Sequence, residues 1–97
     1  MAVPQLCNLG MSGIAFAGTD VGGFGADCTP ELMCRWVQVG TFSPLFRNHS
    51  SMGSTFQEPW QFDVETIRIY RKFVELRCAQ RLWLSPVHTV EYFCVPA

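Results

Sequence analysis

The chain has 97 residues, enough for one domain at most. With 48% hydrophobic, 13% aromatic and only 15% charged residues, it has the balance of a globular chain and not of a disordered tail. A net charge of -1 supplies no basic field, which argues against nucleic acid or an anionic membrane as a partner.

In chain order, Pro4 to Gly10 reads as the last turns of a helix, with Gly10 closing it at the C′ position. Ile14 to Gly18 is a short apolar run between glycines, the pattern of a strand buried on both faces of a parallel sheet. A glycine-rich loop follows from Gly18 to Gly25. Thr29 is placed to cap the next helix, with Pro30 at its first position and Glu31 in its first turn. The apolar spacing carries that helix to Val39, and Gly40 is expected to stop it. Thr41 to Phe46 is a second candidate strand, interrupted by Pro44, which has no N–H for a sheet ladder. Arg47 to Phe62 is a polar loop, long enough to suggest function. Asp63 can cap a helix to about Arg81, with Ile67, Tyr70, Val74 and Arg77 on one stripe and Phe73 and Leu76 beside it. The tail over 82–97 has no clear period and is left unassigned.

This order alternates strand and helix, which implies a parallel sheet with helical crossovers, an α/β fold. In such folds the loops after the strands' carboxyl ends carry the chemistry, and here those loops hold Asp20 and His49. No run of 18 apolar residues occurs, and Met1 to Gly10 has neither a basic residue nor a long apolar run, so no membrane span and no signal peptide are expected. The cysteines at 7, 28, 34, 78 and 94 are odd in number and include no CxxC. They fit neither a disulfide framework nor a zinc ribbon, and most are expected as small buried apolar residues. That usage leans towards a reducing compartment such as the cytoplasm.

Local sequence alone offers plain readings of the same residues. An aspartate in a glycine-rich loop ordinarily bonds its own backbone, and a lone His49 is ordinarily structural. His49 and His88 have no metal-binding spacing, so no metal is expected. Cys28 stands where a dinucleotide-binding glycine pattern would end, and Asp20 would repel a phosphate there; no cofactor is expected. Asn48-His49-Ser50 is a formal glycosylation sequon, read as accidental because Asn48 would be enclosed beside a pocket. Trp36, Phe42 and Phe46 read as core, whereas Trp60 suits either core or binding surface.

The string NLGMSGIAFAGTDVGGFG (Asn8 to Gly25) resembles the seventh-strand region of family 31 glycoside hydrolases. PELMCRWVQVGTFSPLFRNHS (Pro30 to Ser50) resembles their following helix, eighth strand and loop; QEPWQF (Gln57 to Phe62) and the helix segment ending in Glu75-Leu76-Arg77 fit as well. The resemblance covers Val3 to Arg77. It implies a partial (β/α)8 TIM barrel, its last two βα units, from an enzyme class that mostly cleaves α-glucosidic bonds with retention. It also implies that Asp20 hydrogen-bonds sugar hydroxyls in the −1 subsite, that Phe24 lines that subsite, that His49 bonds the same sugar and that Arg47 orients nearby carboxylates. In that family the nucleophile and the acid/base lie upstream of these motifs, and neither motif is present, so none of these residues is expected to be catalytic. After Arg77 the chain departs from the family pattern. The barrel segment is therefore expected over 1–81 and a divergent tail over 82–97, with both ends looking cut.

The functional expectation is a sugar-holding piece of an α-glucosidase-type hydrolase, with an α-glucoside as ligand and no turnover by the chain alone. A non-catalytic carbohydrate-binding or interaction remnant is the alternative. Two strands leave sheet edges unpaired and a barrel takes about 250 residues to close, so self-association, or association with a missing barrel half, is expected.

Overall fold

The computed structural model describes residues 1–80. Three helices, α1 (Ala2–Met11), α2 (Pro30–Thr41) and α3 (Val64–Ala79), alternate with two short strands, β1 (Asp20–Val21) and β2 (Arg47–Asn48), and a 3₁₀ turn spans Pro59–Gln61. The strands pair in parallel, Asp20 opposite Arg47 and Val21 opposite Asn48, with α2 as the crossover between them.

Gly10 lies inside α1 and does not end it. The helix stops one residue later, at Met11, and is closed where Gly13 adopts φ +90°, Ile14 N–H donates to Leu9 O (3.0 Å) and Gly13 N–H to Gly10 O (3.2 Å). That pair of bonds is a Schellman closure, for which a left-handed glycine is the low-cost residue. No residue of α1 is buried.

The run Ile14 to Gly18 does not form the expected strand, and Ile14 and Phe16 are 49% and 67% exposed. A strand needs a ladder, and the one inter-segment backbone bond to this run among the described residues is Leu45 N–H to Ala17 O, 3.1 Å. The two segments nevertheless press together: a β-carbon on Gly18 would collide with the carbonyl of Leu45.

The second strand is also displaced, from Thr41–Phe46 to Arg47–Asn48. Thr41 is the last residue of α2, and the next residues fold back on it. Ser43 N–H bonds Gly40 O (3.0 Å), Ser43 Oγ bonds Val39 O (3.2 Å), and Pro44 has no donor to offer. Gly40 does not stop the helix; it is buried where a β-carbon would stand 2.7 Å from Val21 Cγ2 and 2.8 Å from the Phe46 ring. Its absent side chain lets α2 lie against β1.

Both caps read from sequence are present. Thr29 Oγ1 accepts from Leu32 N–H (3.2 Å) with Pro30 at the first helical position, and Asp63 Oδ1 accepts from Thr66 N–H (2.8 Å). Those Thr66 bonds hold the Asp63 carboxyl below its usual range. Met33, Val37 and Val21 are fully buried with Cys28, and Trp36, Phe46, Phe62, Tyr70 and Phe73 pack around them. Phe42, expected in the core, is 56% exposed, because α2 still includes Thr41 and turns the next ring outward. Of the described free cysteines only Cys28 is buried; Cys34 is half-buried and Cys7 exposed on the uncovered α1.

Arg77 fastens α3 to the end of α2. Nη1 donates to the carbonyls of Thr41 (2.9 Å) and Ser43 (2.7 Å), and Nη2 to that of Pro44 (2.8 Å). The guanidinium also stands 5.1 Å from the Phe46 ring centroid. Helices leave their last carbonyls without internal partners, and a forked cation satisfies several at once. The stripe Ile67, Tyr70, Val74 and Arg77 is half-buried, facing α2. The residues 81–97, including the tail and the end of the helix expected to reach Arg81, lie outside the described residues.

Candidate functional site

Parallel strands direct their carboxyl ends to one side, so the segments after β1 and β2 emerge together. Asp20 opens β1 and Arg47 opens β2 directly opposite, and Arg47 Nε donates to Asp20 Oδ1 at 2.8 Å. With side chains 55% and 21% exposed, this pair contributes up to about 1 kcal/mol, and its larger effect is to aim the carboxylate. His49 follows directly on the end of β2, two residues beyond Arg47.

After Val21 the backbone turns sharply. Gly23 N–H bonds Asp20 O (2.9 Å), with Gly22 at φ +96° in the third position, where a turn of this kind requires a positive φ. The turn brings Phe24 back over β2. Its ring stacks on the His49 imidazole with centroids 5.3 Å apart and planes at 29°. Two bonds tie the loops that carry these rings: Ser51 N–H to Phe24 O, 2.9 Å, and Thr55 N–H to the Asp27 carboxylate, 2.8 Å. Asp20 and Arg47 thus form one contact on the paired strands, and Phe24 and His49 a second on the segments that follow them.

Such an arrangement offers a fixed carboxylate acceptor, guanidinium and imidazole donors, and an apolar ring face. These are the groups that a polyhydroxylated ring engages: hydroxyls by hydrogen bonds, C–H faces by aromatic contact. The Asp20 carboxylate is paired with a cation, whereas glycosidic bond cleavage uses two carboxyl groups about 5–5.5 Å apart in retaining enzymes. Among the described residues no group of three or more His, Cys, Asp or Glu side chains is placed to hold a metal, and no helix is long and apolar enough to cross a membrane.

A hollow of about 240 Å³ lies elsewhere, between the start of α1 and α2, against Met1, Val3, Pro4, Leu32, Trp36 and Val39. Its walls include none of the four site residues. Trp60 is 71% exposed on the 3₁₀ turn, which places it on the surface.

Sequence reasoning missed the residues beneath the site. Asn48 is exposed, not enclosed, yet its side-chain amide is occupied, donating to Gln57 O at 2.7 Å and engaging Tyr70. Gln57 is 4% exposed, and its Nε2 faces Asn48 Oδ1 (3.2 Å), His49 O (3.2 Å) and Val21 O (3.5 Å). Burial of its ring pushes the Tyr70 hydroxyl pKa up, and the bond with Asn48 opposes that shift. The QEPW motif was the signal available for Gln57, but nothing local marks a loop glutamine as buried.

The profile of the glycosyl hydrolases family 31 TIM-barrel domain matches residues 1–80. Alpha-glucosidase 2 of Bacillus thermoamyloliquefaciens is 47% identical over 90 residues, 93% of this chain and 11% of that protein. Neutral alpha-glucosidase C of Homo sapiens is 39% identical over 77 residues, 79% of this chain and 8% of that protein. Among solved structures, the DNJ-bound glucosidase II alpha subunit superposes with a TM-score of 0.72 at 32% identity, over 81% of this chain and 8% of that one. The chain therefore spans about a tenth of the length of the relatives it matches.

Proposed function

This chain belongs to glycosyl hydrolase family 31, and we propose that it forms the sugar-holding side of an α-glucosidase-type active site, built on the last two βα units of the barrel. The reaction served is hydrolysis of a terminal α-glucosidic bond with retention. Asp20 and His49 hydrogen-bond the ring hydroxyls in the −1 subsite, Phe24 covers a C–H face, and Arg47 holds the Asp20 carboxylate in its orientation. The barrel segment of this proposal is 1–81, and the sequence over 82–97, divergent from the family pattern, is left unassigned.

One observation carries this reading: an Asp20–Arg47 ion pair bridges two adjacent parallel strands, and a Phe24–His49 stack joins the segments that leave their carboxyl ends. Barrel enzymes assemble their sites at that end from residues of several strands. Retention requires a nucleophile and an acid/base. Asp20 is committed to Arg47, which makes it a holding group in this proposal and neither the nucleophile nor the acid/base.

Two measurements on the purified chain test the proposal. Tryptophan fluorescence, titrated with glucose or an α-glucosidase inhibitor, is expected to saturate. An aryl α-glucoside is expected not to be turned over. Enzyme-specific hydrolysis would overturn the division of labour, and failure to bind either ligand would overturn the sugar-holding role.

A further inference from the structure

We infer that Gln57 is the positioning residue of this site, holding the His49 backbone to the end of β1 and thereby keeping the imidazole against Phe24. The inference rests on the sugar-holding reading only for its consequence in binding. The geometric part stands by itself.

The Gln57 carboxamide lies where the two strands end. Its Nε2 donates towards the carbonyls of Val21 in β1 and His49 just past β2, and towards Oδ1 of Asn48 between them. Two of those three acceptors are backbone carbonyls, which cannot donate, so the amide nitrogen must be the group that faces them. Gly22 makes room for it. A β-carbon there would stand 2.8 Å from Gln57 Oε1 and 2.9 Å from Cδ and Nε2. Asn48 closes the arrangement from the opposite side, its Nδ2 donating to the Gln57 carbonyl at 2.7 Å.

The orientation has a cost that marks it as specified. Oε1 is buried and has no hydrogen-bond partner among the described residues. A side chain chosen only to fill space would leave no such atom, and methionine or leucine would serve there. The carboxamide supplies what they cannot: one donor group reaching both strand ends at once. His49 itself is exposed, and the described contact on its ring is the Phe24 stack. Its carbonyl, half-buried where it accepts from Gln57, is therefore the handle by which the fold fixes an otherwise exposed imidazole.

The test uses the 97-residue chain and histidine C2 hydrogen–deuterium exchange, followed peptide by peptide in a mass spectrometer across pH. The imidazole of His49 is the reporter, and His88 is the internal reference. Phe24→Ala, which removes the stacking ring, sets the level of full loss. Gln57→Met keeps the volume and removes the donor; Gln57→Asn keeps the carboxamide and withdraws it. Both are expected to raise His49 exchange towards the Phe24→Ala level with His88 and far-ultraviolet dichroism unchanged. Both should weaken glucose binding about tenfold, since small misplacements of a positioned group are costly. If either variant retains its helical dichroism and the wild-type His49 exchange profile, Gln57 does not position His49. If both lose that dichroism, Gln57 is a folding residue and the inference falls as well. A wild-type chain that binds no glucose would instead overturn the sugar-holding role and leave the exchange result to decide on Gln57.

Discussion

Replacing Gly40 by alanine sets two effects of opposite sign against each other. In a helix interior alanine is better than glycine by about 1 kcal/mol. At Gly40, however, the added β-carbon would sit 2.7 Å from Val21 Cγ2 and 2.8 Å from the Phe46 ring. Carbon atoms prefer about 3.5–4.0 Å, so each neighbour must retreat by about 1 Å. Val21 is fully buried and tied into β1, and Phe46 lies beneath the Arg77 guanidinium, so neither can give way freely. Overpacking of this kind costs about 1–3 kcal/mol, and the upper half of that range applies where both neighbours are held. The expected net effect is a loss of about 1–2 kcal/mol, or about 0.5–1 M in the urea midpoint. Gly10 supplies the control, because a β-carbon there meets nothing within 4 Å. Gly10→Ala is expected to raise the helical signal at 222 nm. Both variants are best made in a Phe16→Glu background, which replaces a ring 67% exposed to solvent. A Gly40→Ala midpoint equal to or above its parent would refute the packing argument and restore Gly40 as a simple helix stop.

Other outcomes follow from the same contacts. Arg77→Lys keeps the charge but can satisfy only part of the Thr41, Ser43 and Pro44 carbonyls that the guanidinium bonds, and is expected to cost about 1–2 kcal/mol in urea unfolding, with Arg77→Ala costing more. Asp63 has a folded pKa lowered by its Thr66 bonds, so it stabilises the fold above the usual carboxylate pKa, and that stability is lost as pH falls through the depressed value. Thermal midpoints of Asp63→Ala should accordingly fall less steeply than those of the wild type below about pH 4. Ile14 and Phe16 expose an apolar run that sits in no ladder, so the wild-type chain should self-associate in sedimentation runs and Phe16→Glu should reduce this; a wild type that stays monomeric with a sharp melt would refute it. Asp20→Asn, which removes the charge facing Arg47 and the proposed sugar, should weaken glucose binding about 10–100-fold by tryptophan fluorescence.

The features legible in the sequence are those whose causes lie within a few residues. Thr29 and Asp63 cap helices by bonding an N–H three residues ahead, so the bond and its signature occupy the same short window. Strands have no such local cause. Ile14 to Gly18 carries the composition of a strand covered on both faces, but that composition describes surroundings that the described residues do not supply, and the run receives one backbone bond from Leu45. Gly40 shows the same limit in reverse. Read locally, glycine after a helix pattern means termination; in space, its neighbours are Val21 and Phe46, nineteen and six residues away, and they require the missing side chain.

The four site residues became legible only through family motifs, since an aspartate, a phenylalanine, an arginine and a histidine in polar loops have ordinary local readings. What the motifs left unspoken is how such exposed groups are held. The structure answers with a layered arrangement. Tyr70 on α3 engages the Asn48 side chain, Asn48 and Gln57 bond each other, and Gln57 reaches the carbonyls of Val21 and His49. The central group is more buried than what it holds: Gln57 is 4% exposed, while the Phe24 ring it helps to oppose is 50% exposed. A binding surface must face solvent to admit its ligand, so it cannot draw its rigidity from its own burial. It takes that rigidity from polar groups one layer down, here a carboxamide bonded to two backbone carbonyls and to the Asn48 side chain. In this chain that layer is built from a sequon asparagine and a loop glutamine, two residues whose importance is invisible until their partners are known.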